Sequence, residues 1–379
     1  MEKDNFDKMN LKESLLRGIY GYGFEYPSII QQKAIPLILQ GKDIIAQSQS
    51  GTGKTGAFTI SALQLVDEKV SGCQVLIIAH TRELAQQIYD VGTHLGHHTN
   101  IRFILCMGGQ SIRDTEENLK KAGAYIAVCT PGRLLDLIKR KFISTRVVKL
   151  LVVDEADEML SYSFQDQLRN IINQLPQTSQ ISLFSATMPD YMFKITEKFL
   201  RNPEEILIEK DKLTLEGINQ FYIKTDNELW KFETLCDLYD MMSVSQTIIY
   251  INSIKRGEEL KTQLEKKNFT VSLIHSNMSL THRNDIMRNF RRGNTRILIS
   301  TDLLSRGIDI QQISVVVNYD IPRNKEAYLH RIGRSGRFGR KGVAINLITR
   351  HDERIFRDIQ EYYKINIEQM PENVQEYLC

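Results

Sequence analysis

The stretch "KLLVVDEADEML" at positions 149–160 sets the terms on which the rest of the chain is read. Residues 150–153 form a short apolar run rich in β-branched residues, the pattern of a fully buried strand. It stops abruptly at Asp154, Glu155, Ala156 and Asp157. Three carboxylates within four residues repel one another, and they lose hydration if they lie at the end of a core strand. Either the stretch is an exposed turn, or something cationic belongs beside it.

Similar runs recur on both sides: "DIIAQ" (43–47), "VLIIA" (75–79), "YIAVC" (125–129) and "ISLFS" (181–185). A second set follows, "TIIYI" (247–251), "TVSLI" (270–274), "RILIS" (296–300), "ISVVV" (313–317) and "VAINLI" (343–348). Helical spacing separates the runs; Leu84, Ile88, Val91 and Leu95, for example, share one helix face. Buried strands alternating with helices predict an α/β fold, a mostly parallel sheet covered by helices on both faces. Two sets of strands predict two such domains, 1–208 and 218–379, joined by the polar linker 209–217, "EKDKLTLEG". Parallel sheets bind ligands beyond the carboxyl ends of their strands, so the chemistry belongs just after these runs.

Composition sets outer limits. The chain has 379 residues, 42% hydrophobic and 25% charged, which is ordinary for a globular protein. No apolar stretch has the length of a membrane span, and the charged start "MEKDNFDKMN" does not read as a secretory signal. The five cysteines are scattered without ligand spacing, so neither a metal site nor a disulfide framework is expected, and a cytoplasmic or nuclear setting follows. Net charge is only +3, yet 282–341 alone holds 13 Lys and Arg against five Asp and Glu. A basic block of this kind suits a polyanionic partner, though a solvated face would look the same.

After "DIIAQ" comes "SQSGTGKTGAF" (48–58). Gly51 and Gly53, with Ser50 and Thr52, let backbone N–H groups close around phosphates at the start of a helix. Lys54 reaches the outer phosphates and the Thr55 hydroxyl ligates Mg²⁺ in such a loop. Ser48 stands where the usual pattern has its first glycine. A strand ending in Asp-Glu, a hundred residues on, is the usual partner of a phosphate loop. Asp154 then holds Mg²⁺, mainly through water, and Glu155 orients and deprotonates the attacking water.

With these motifs in order, the chain resembles the DEAD-box RNA helicases over nearly its whole length. "GFEYPSIIQ" (23–31) is similar to that family's adenine-reading segment. The resemblance implies that Gln31 reads the adenine edge, with Phe6 or Phe24 packing on the base. "HTRELAQQ" (80–87), Gly108–Gly109 and "TPGR" (130–133) resemble the RNA-gripping elements, which assigns Thr81, Arg82, Gly108, Gly109, Thr130, Pro131, Gly132 and Arg133 to RNA phosphates. "SAT" (185–187) resembles the coupling segment, with Ser185 and Thr187 bonded to the acidic turn at Asp157. "STDLLSRGID" (300–309) and "HRIGRSGRFGRKG" (330–342) resemble the last two motifs. By that resemblance Thr301, Arg306 and Gly307 grip RNA and Asp309 contacts the ribose. Arg334 and Arg337 act as arginine fingers on the γ-phosphate, while His330 and Arg331 tie the domains to the acidic turn. Arg283 belongs to a further RNA segment, "HSNMSLTHR" (275–283), where Asn277 and Leu280 replace an acid and a glutamine; His80 replaces a proline. These departures bear on RNA grip rather than on the ATPase.

The resemblance implies an RNA-stimulated ATPase that uses ATP and Mg²⁺, binds single-stranded RNA without sequence preference and separates duplexes when its cleft closes. "NLKESLLRGIYGYGFE", "LTLEGINQFYI" and "WKFETLCDLYD" are similar to the translation-initiation branch, whereas "AQSQSGTGKT" is equally similar to the exon-junction branch. The first branch implies a monomer, a helical scaffold protein holding both domains, and work on the 5′ region of mRNA. The second implies an ATP-dependent RNA clamp. A DNA-translocating helicase and a small-molecule kinase fit less of the sequence, the kinase because the second half mirrors the first.

Overall fold

Alternate residues along the central strands point into different core clusters, which requires that both faces of each sheet be covered. The computed structural model describes residues 5–49, 51–207, 218–241, 246–304, 313–333, 335 and 342–371, apart from the side chains of 120–122, 241 and 280. The chain divides into two compact units, Met1–Ile208 and Glu209–Cys379. The expected linker, 209–217, lies outside the described residues.

The first unit contains β1 (Ile44–Gln47), β2 (Val75–Ile78), β3 (Phe103–Cys106), β4 (Ile126–Cys129), β5 (Leu150–Asp154), β6 (Gln180–Ser185) and β7 (Glu204–Ile206). They form one seven-stranded parallel sheet in the order β3-β4-β2-β5-β6-β1-β7. The second contains β8 (Ile218–Lys224), β9 (Thr247–Tyr250), β10 (Val271–Ile274), β11 (Ile297–Ser300), β12 (Val315–Asn318), β13 (Gly342–Ile348) and β14 (Glu368–Gln369). Their order is β10-β11-β9-β12-β13-β8-β14, again all parallel. In the second sheet Ile249, Val315 and Val317 join one cluster, while Ile248, Tyr250 and Val316 join another on the opposite face.

The strands that were not legible as apolar runs are β3, β7, β8 and β14. Three of them are sheet edges, and β8 pairs between β13 and the two-residue β14. An edge strand is covered less completely and tolerates polar residues, as in the Glu-Glu-Ile of β7, whose two glutamates are exposed. The helix expected around residue 88 spans Arg82–Leu95 and buries Leu84, Ile88 and Leu95; Val91 is half-buried.

Because every strand of the first sheet runs the same way, the segments after β1 to β6 all leave from one edge. Register then decides which meet. Gln47 of β1 pairs with Ser185 of β6, and Phe184 of β6 pairs with Asp154 of β5. The phosphate loop and the acidic turn are therefore separated by a single strand. Asp43 anchors this arrangement at the other end: its buried carboxylate accepts from the Ile181 N–H and the Arg201 N–H, each at 2.8 Å. Replacing it with alanine leaves two N–H groups unpaired. Asp43→Ala should cost about 2–4 kcal/mol of stability in urea unfolding; an unchanged midpoint would show that the carboxylate does not hold β1 to β6.

Candidate nucleotide-binding site

The Lys54–Leu65 helix begins on Gly53, which sits at φ +99°, in the left-handed region. A Cβ at Gly53 would lie 2.8 Å from Gln31 Nε2 and 3.0 Å from Ser28 Oγ, so the loop also needs glycine for the close approach of these side chains. Lys54 Nζ donates to the Ser48 carbonyl at 2.8 Å and Thr52 Oγ1 donates to the Gln49 carbonyl at 2.7 Å. These bonds curl the loop on itself. Ser48 does not need to be glycine, because it is not among the residues with positive φ. Its N–H continues the β6 ladder to the Ser185 carbonyl, and its hydroxyl meets that of Thr52.

The adenine-reading candidates pack onto the same loop. Ser28 and Gln31 form a reciprocal capping box at the start of the Ile29–Leu39 helix. Gln31 Oε1 accepts from the Ser28 N–H at 2.9 Å, and Nε2 donates to the Gly53 carbonyl at 3.2 Å. One amide thus links the base-reading segment to the phosphate loop. The Ser-x-x-Gln spacing was readable in the sequence and would have found Ser28. Phe6 is fully buried, edge-on to Tyr20 and stacked toward Phe24 at 6.4 Å, whereas Phe24 is half-buried. Of the two aromatics, Phe24 has the partly open ring.

At the acidic turn each carboxylate has a different environment. Burial pushes the Asp154 carboxyl up to about 7, with the Glu155 charge adding to the effect; Lys54 and the Glu155 N–H, which donates to Asp154 Oδ1 at 3.0 Å, work the other way. Glu155 takes a left-handed conformation, φ +49°, although it is not glycine, and its side chain is buried. Such strain costs on the order of 1–3 kcal/mol and persists where the surroundings enforce it. Asp157 accepts from Ser185 Oγ at 2.8 Å and Thr187 Oγ1 at 2.7 Å. A buried carboxyl held near neutrality by a second acid suits a hard divalent cation. The oxygen donors of Asp154 and Thr55 fit Mg²⁺, which would neutralise this charge and phosphate charge together.

Three loops at the same sheet edge carry the first-unit RNA candidates. Thr81 caps the Arg82–Leu95 helix by accepting from the Leu84 N–H, and His80 is half-buried just before it. Gly109 has φ +87°, and a Cβ there would come within 2.9 Å of Arg82 Nη1, so the Arg82 guanidinium lies against the glycine pair. Thr130 does not cap its helix; its hydroxyl accepts from the Gly108 N–H at 3.2 Å. Pro131 opens the Pro131–Lys139 helix, and Gly132 beside it is exposed. Arg133 differs from the expectation of a phosphate ligand. It is buried, and its guanidinium donates to the Gln110 carbonyl at 2.6 Å and to Thr115 Oγ1 at 3.3 Å. It therefore positions the Gly108–Gly109 loop. Gln110 and Thr115 were not legible as site residues, because nothing local in sequence pairs them with Arg133.

In the second unit Arg331 also needs correcting. It was expected to tie the domains, but every hydrogen bond it makes stays within its own unit. Nε donates to Asp302 Oδ1 at 2.6 Å, Nη1 to the Asp320 carbonyl at 2.6 Å, and Nη2 to Asn252 Oδ1 at 2.8 Å, with Tyr250 under the guanidinium. A buried guanidinium with five donors is satisfied by a ring of strand ends and has nothing left to reach outward. His330 precedes it, buried on the Lys325–Ile332 helix. Arg283 is buried in the first turn of the Leu280–Arg291 helix; Asn277 is exposed and Thr301 half-buried. Ser50, Arg306, Gly307, Asp309, Arg334 and Arg337 lie outside the described residues, as does the Leu280 side chain.

Residues 28–195 match the DEAD/DEAH box helicase family and 230–339 match the helicase conserved C-terminal domain. The "ATP-dependent RNA helicase eIF4A" of Meyerozyma guilliermondii is 54% identical over 372 residues, covering 98% of this chain and 94% of that one. The chain belongs to the DEAD-box helicases. "Eukaryotic initiation factor 4A" of Drosophila melanogaster is 51% identical over 375 residues, covering 99% and 93%. Among solved structures, S. cerevisiae Dbp5 bound to RNA and ADP BeF3 superposes with a TM-score of 0.93 at 35% identity, covering 99% of this chain and 98% of that one. The DEAD-box fold is thus two parallel sheets of this topology, and no helix among the described residues is long and apolar enough to cross a membrane. The described cysteines are unbridged.

The electrostatics of the acidic turn give a measurable proton. With its carboxyl near 7, Asp154 is about half protonated at neutral pH. A divalent cation selects the ionised form, so Mg²⁺–nucleotide binding should release up to roughly half a proton at pH 7 and weaken as pH falls. Calorimetry in buffers of different ionisation enthalpy reads the release. It should vanish in Asp154→Asn; identical release from both proteins would clear Asp154 of the role.

Proposed function

We propose that this chain is an ATP-dependent RNA helicase of the initiation-factor-4A kind, coupling ATP hydrolysis to local separation of RNA strands. The observation that carries the reading is the adjacency of β1, β6 and β5, which sets the phosphate loop, the Ser185–Thr187 hydroxyls and the acidic turn side by side. Lys54 and the loop N–H groups bind the phosphates, and Gln31 with Phe24 takes the adenine. Thr55 and Asp154 hold Mg²⁺, which supplies charge neutralisation at the phosphates. Glu155 positions the attacking water and takes its proton. Arg334 and Arg337 from the second unit stabilise charge on the leaving phosphoryl group, and Asp309 contacts the ribose.

RNA lies across Thr81, Arg82, Gly108, Gly109 and the 130–133 turn of the first unit, and across Arg283, Thr301, Arg306 and Gly307 of the second. These contacts are to phosphate and sugar, so sequence preference is weak and salt dependence steep. ATP and RNA each favour the closed arrangement of the two units, so each strengthens the other's binding. Asp157, bonded to Ser185 and Thr187, carries the state of the nucleotide site to the next strand. The relatives named as initiation factors support work on the 5′ region of mRNA in the cytoplasm, with a helical scaffold protein holding a monomer of this chain half-open.

Glu155→Gln keeps the shape of the side chain but removes the base. It should bind ATP and RNA with wild-type affinity and lose at least about a hundredfold in RNA-stimulated ATP turnover and duplex unwinding. Wild-type turnover in that variant would remove Glu155 from the mechanism; loss of ATP binding would make it a ligand instead.

A further inference from the structure

The second unit carries an apolar groove that the nucleotide and RNA sites leave unused. It runs between the Glu228–Met241 and Ile254–Lys266 helices and encloses about 570 Å³, within the roughly 300–1,000 Å³ typical of ligand pockets. Phe232, Leu260 and Tyr319 line it, and Leu229 and Trp230 stand at its lip, 83% and 57% exposed. Trp230 is the chain's only tryptophan. Two adjoining large apolar side chains in water beside a concave apolar surface are the arrangement of a protein-docking anchor site.

The charges around the groove indicate its occupant. Arg256 is the one cation among the lining residues, and its guanidinium is already engaged, by Asp320 at 2.6 Å and Glu228 at 2.7 Å. Glu233 on one helix and Glu259 on the other are exposed. The nearest cation to Glu259 is Lys255, at 3.9 Å in an exposed pair, which offsets little of its charge. The rim is therefore acidic on both sides of an apolar floor. We propose that the groove docks a short segment of a partner protein in which aromatic or branched aliphatic anchors are flanked by lysine or arginine. The anchors pack against Leu229, Trp230 and Phe232, and the flanking cations face Glu233 and Glu259. Charge complementarity sets this occupant apart from the chain's own tail, "ENVQEYLC" (372–379), which carries two glutamates and no cation.

The single tryptophan supplies the readout. The full chain is titrated with the peptide Lys-Arg-Gly-Phe-Ser-Leu-Lys-Arg, with its acidic counterpart Glu-Asp-Gly-Phe-Ser-Leu-Glu-Asp, and with the 372–379 peptide. The basic peptide should shift Trp230 emission to the blue in a saturable way, with the other two at least about tenfold weaker. Joint Glu233→Lys and Glu259→Lys substitution should weaken the basic peptide by about tenfold or more and reverse the preference, with RNA-stimulated ATPase and the urea midpoint unchanged. No saturable shift with the basic peptide, or equal binding by both charged peptides, would overturn the proposal. Tighter binding of the 372–379 peptide would also overturn it, by making the occupant this chain's own tail. So would sedimentation showing self-association that Leu229→Asp abolishes, because the occupant would then be a second copy.

Discussion

Burying like charges at the end of a core strand is the constraint around which the first unit is organised. β5 delivers Asp154, Glu155 and Asp157 into a space with little water, and each is stabilised in its own way. Asp157 takes two hydroxyl donors from the segment after β6. Asp154 takes a backbone N–H and the field of Lys54, yet its carboxyl still stands near neutrality. That residual cost is an attraction for a divalent cation and for the phosphates it accompanies. The strained backbone at Glu155 turns the chain between the two. None of this works unless β6 lies between β5 and β1, so sheet order and site chemistry are one requirement.

The second unit meets the reverse difficulty, a buried cation. Arg331 is enclosed by Asn252, Asn318, Asp302 and Asp320, which follow or end β9, β12 and β11. An uncompensated guanidinium there would be strongly destabilising, so the ring of acceptors holds these strand ends in fixed relation. Asp302 lies in the stretch leading toward Arg306, Gly307 and Asp309, which gives a structural arginine a bearing on the RNA and ribose candidates. Arg133 does the equivalent for the glycine pair of the first unit. In both cases an arginine that looks like a ligand is committed to shaping a loop.

The acidic rim around Leu229 and Trp230 stands in contrast to the basic block of 282–341. The two surfaces of the second unit thus carry opposite electrostatic characters, one suited to phosphates and the other to cations on protein. A net charge of +3 hides this separation.

What the sequence determined by itself was whatever depends on neighbours along the chain. Strand runs, the glycine loop before a helix, and carboxylates at a strand end are local patterns, and they were enough to place Lys54, Thr55, Asp154 and Glu155 after buried strands. What only the tertiary structure decided was which distant groups meet. Arg133 and Arg331 read as surface ligands because an arginine's partners are invisible until strand order brings Thr115 or Asn252 beside it. The edge strand β7 was illegible because its hydrogen bonds to β1 do not require apolar side chains. Periodicity and spacing are written along one dimension, whereas satisfaction of a buried charge is settled in three.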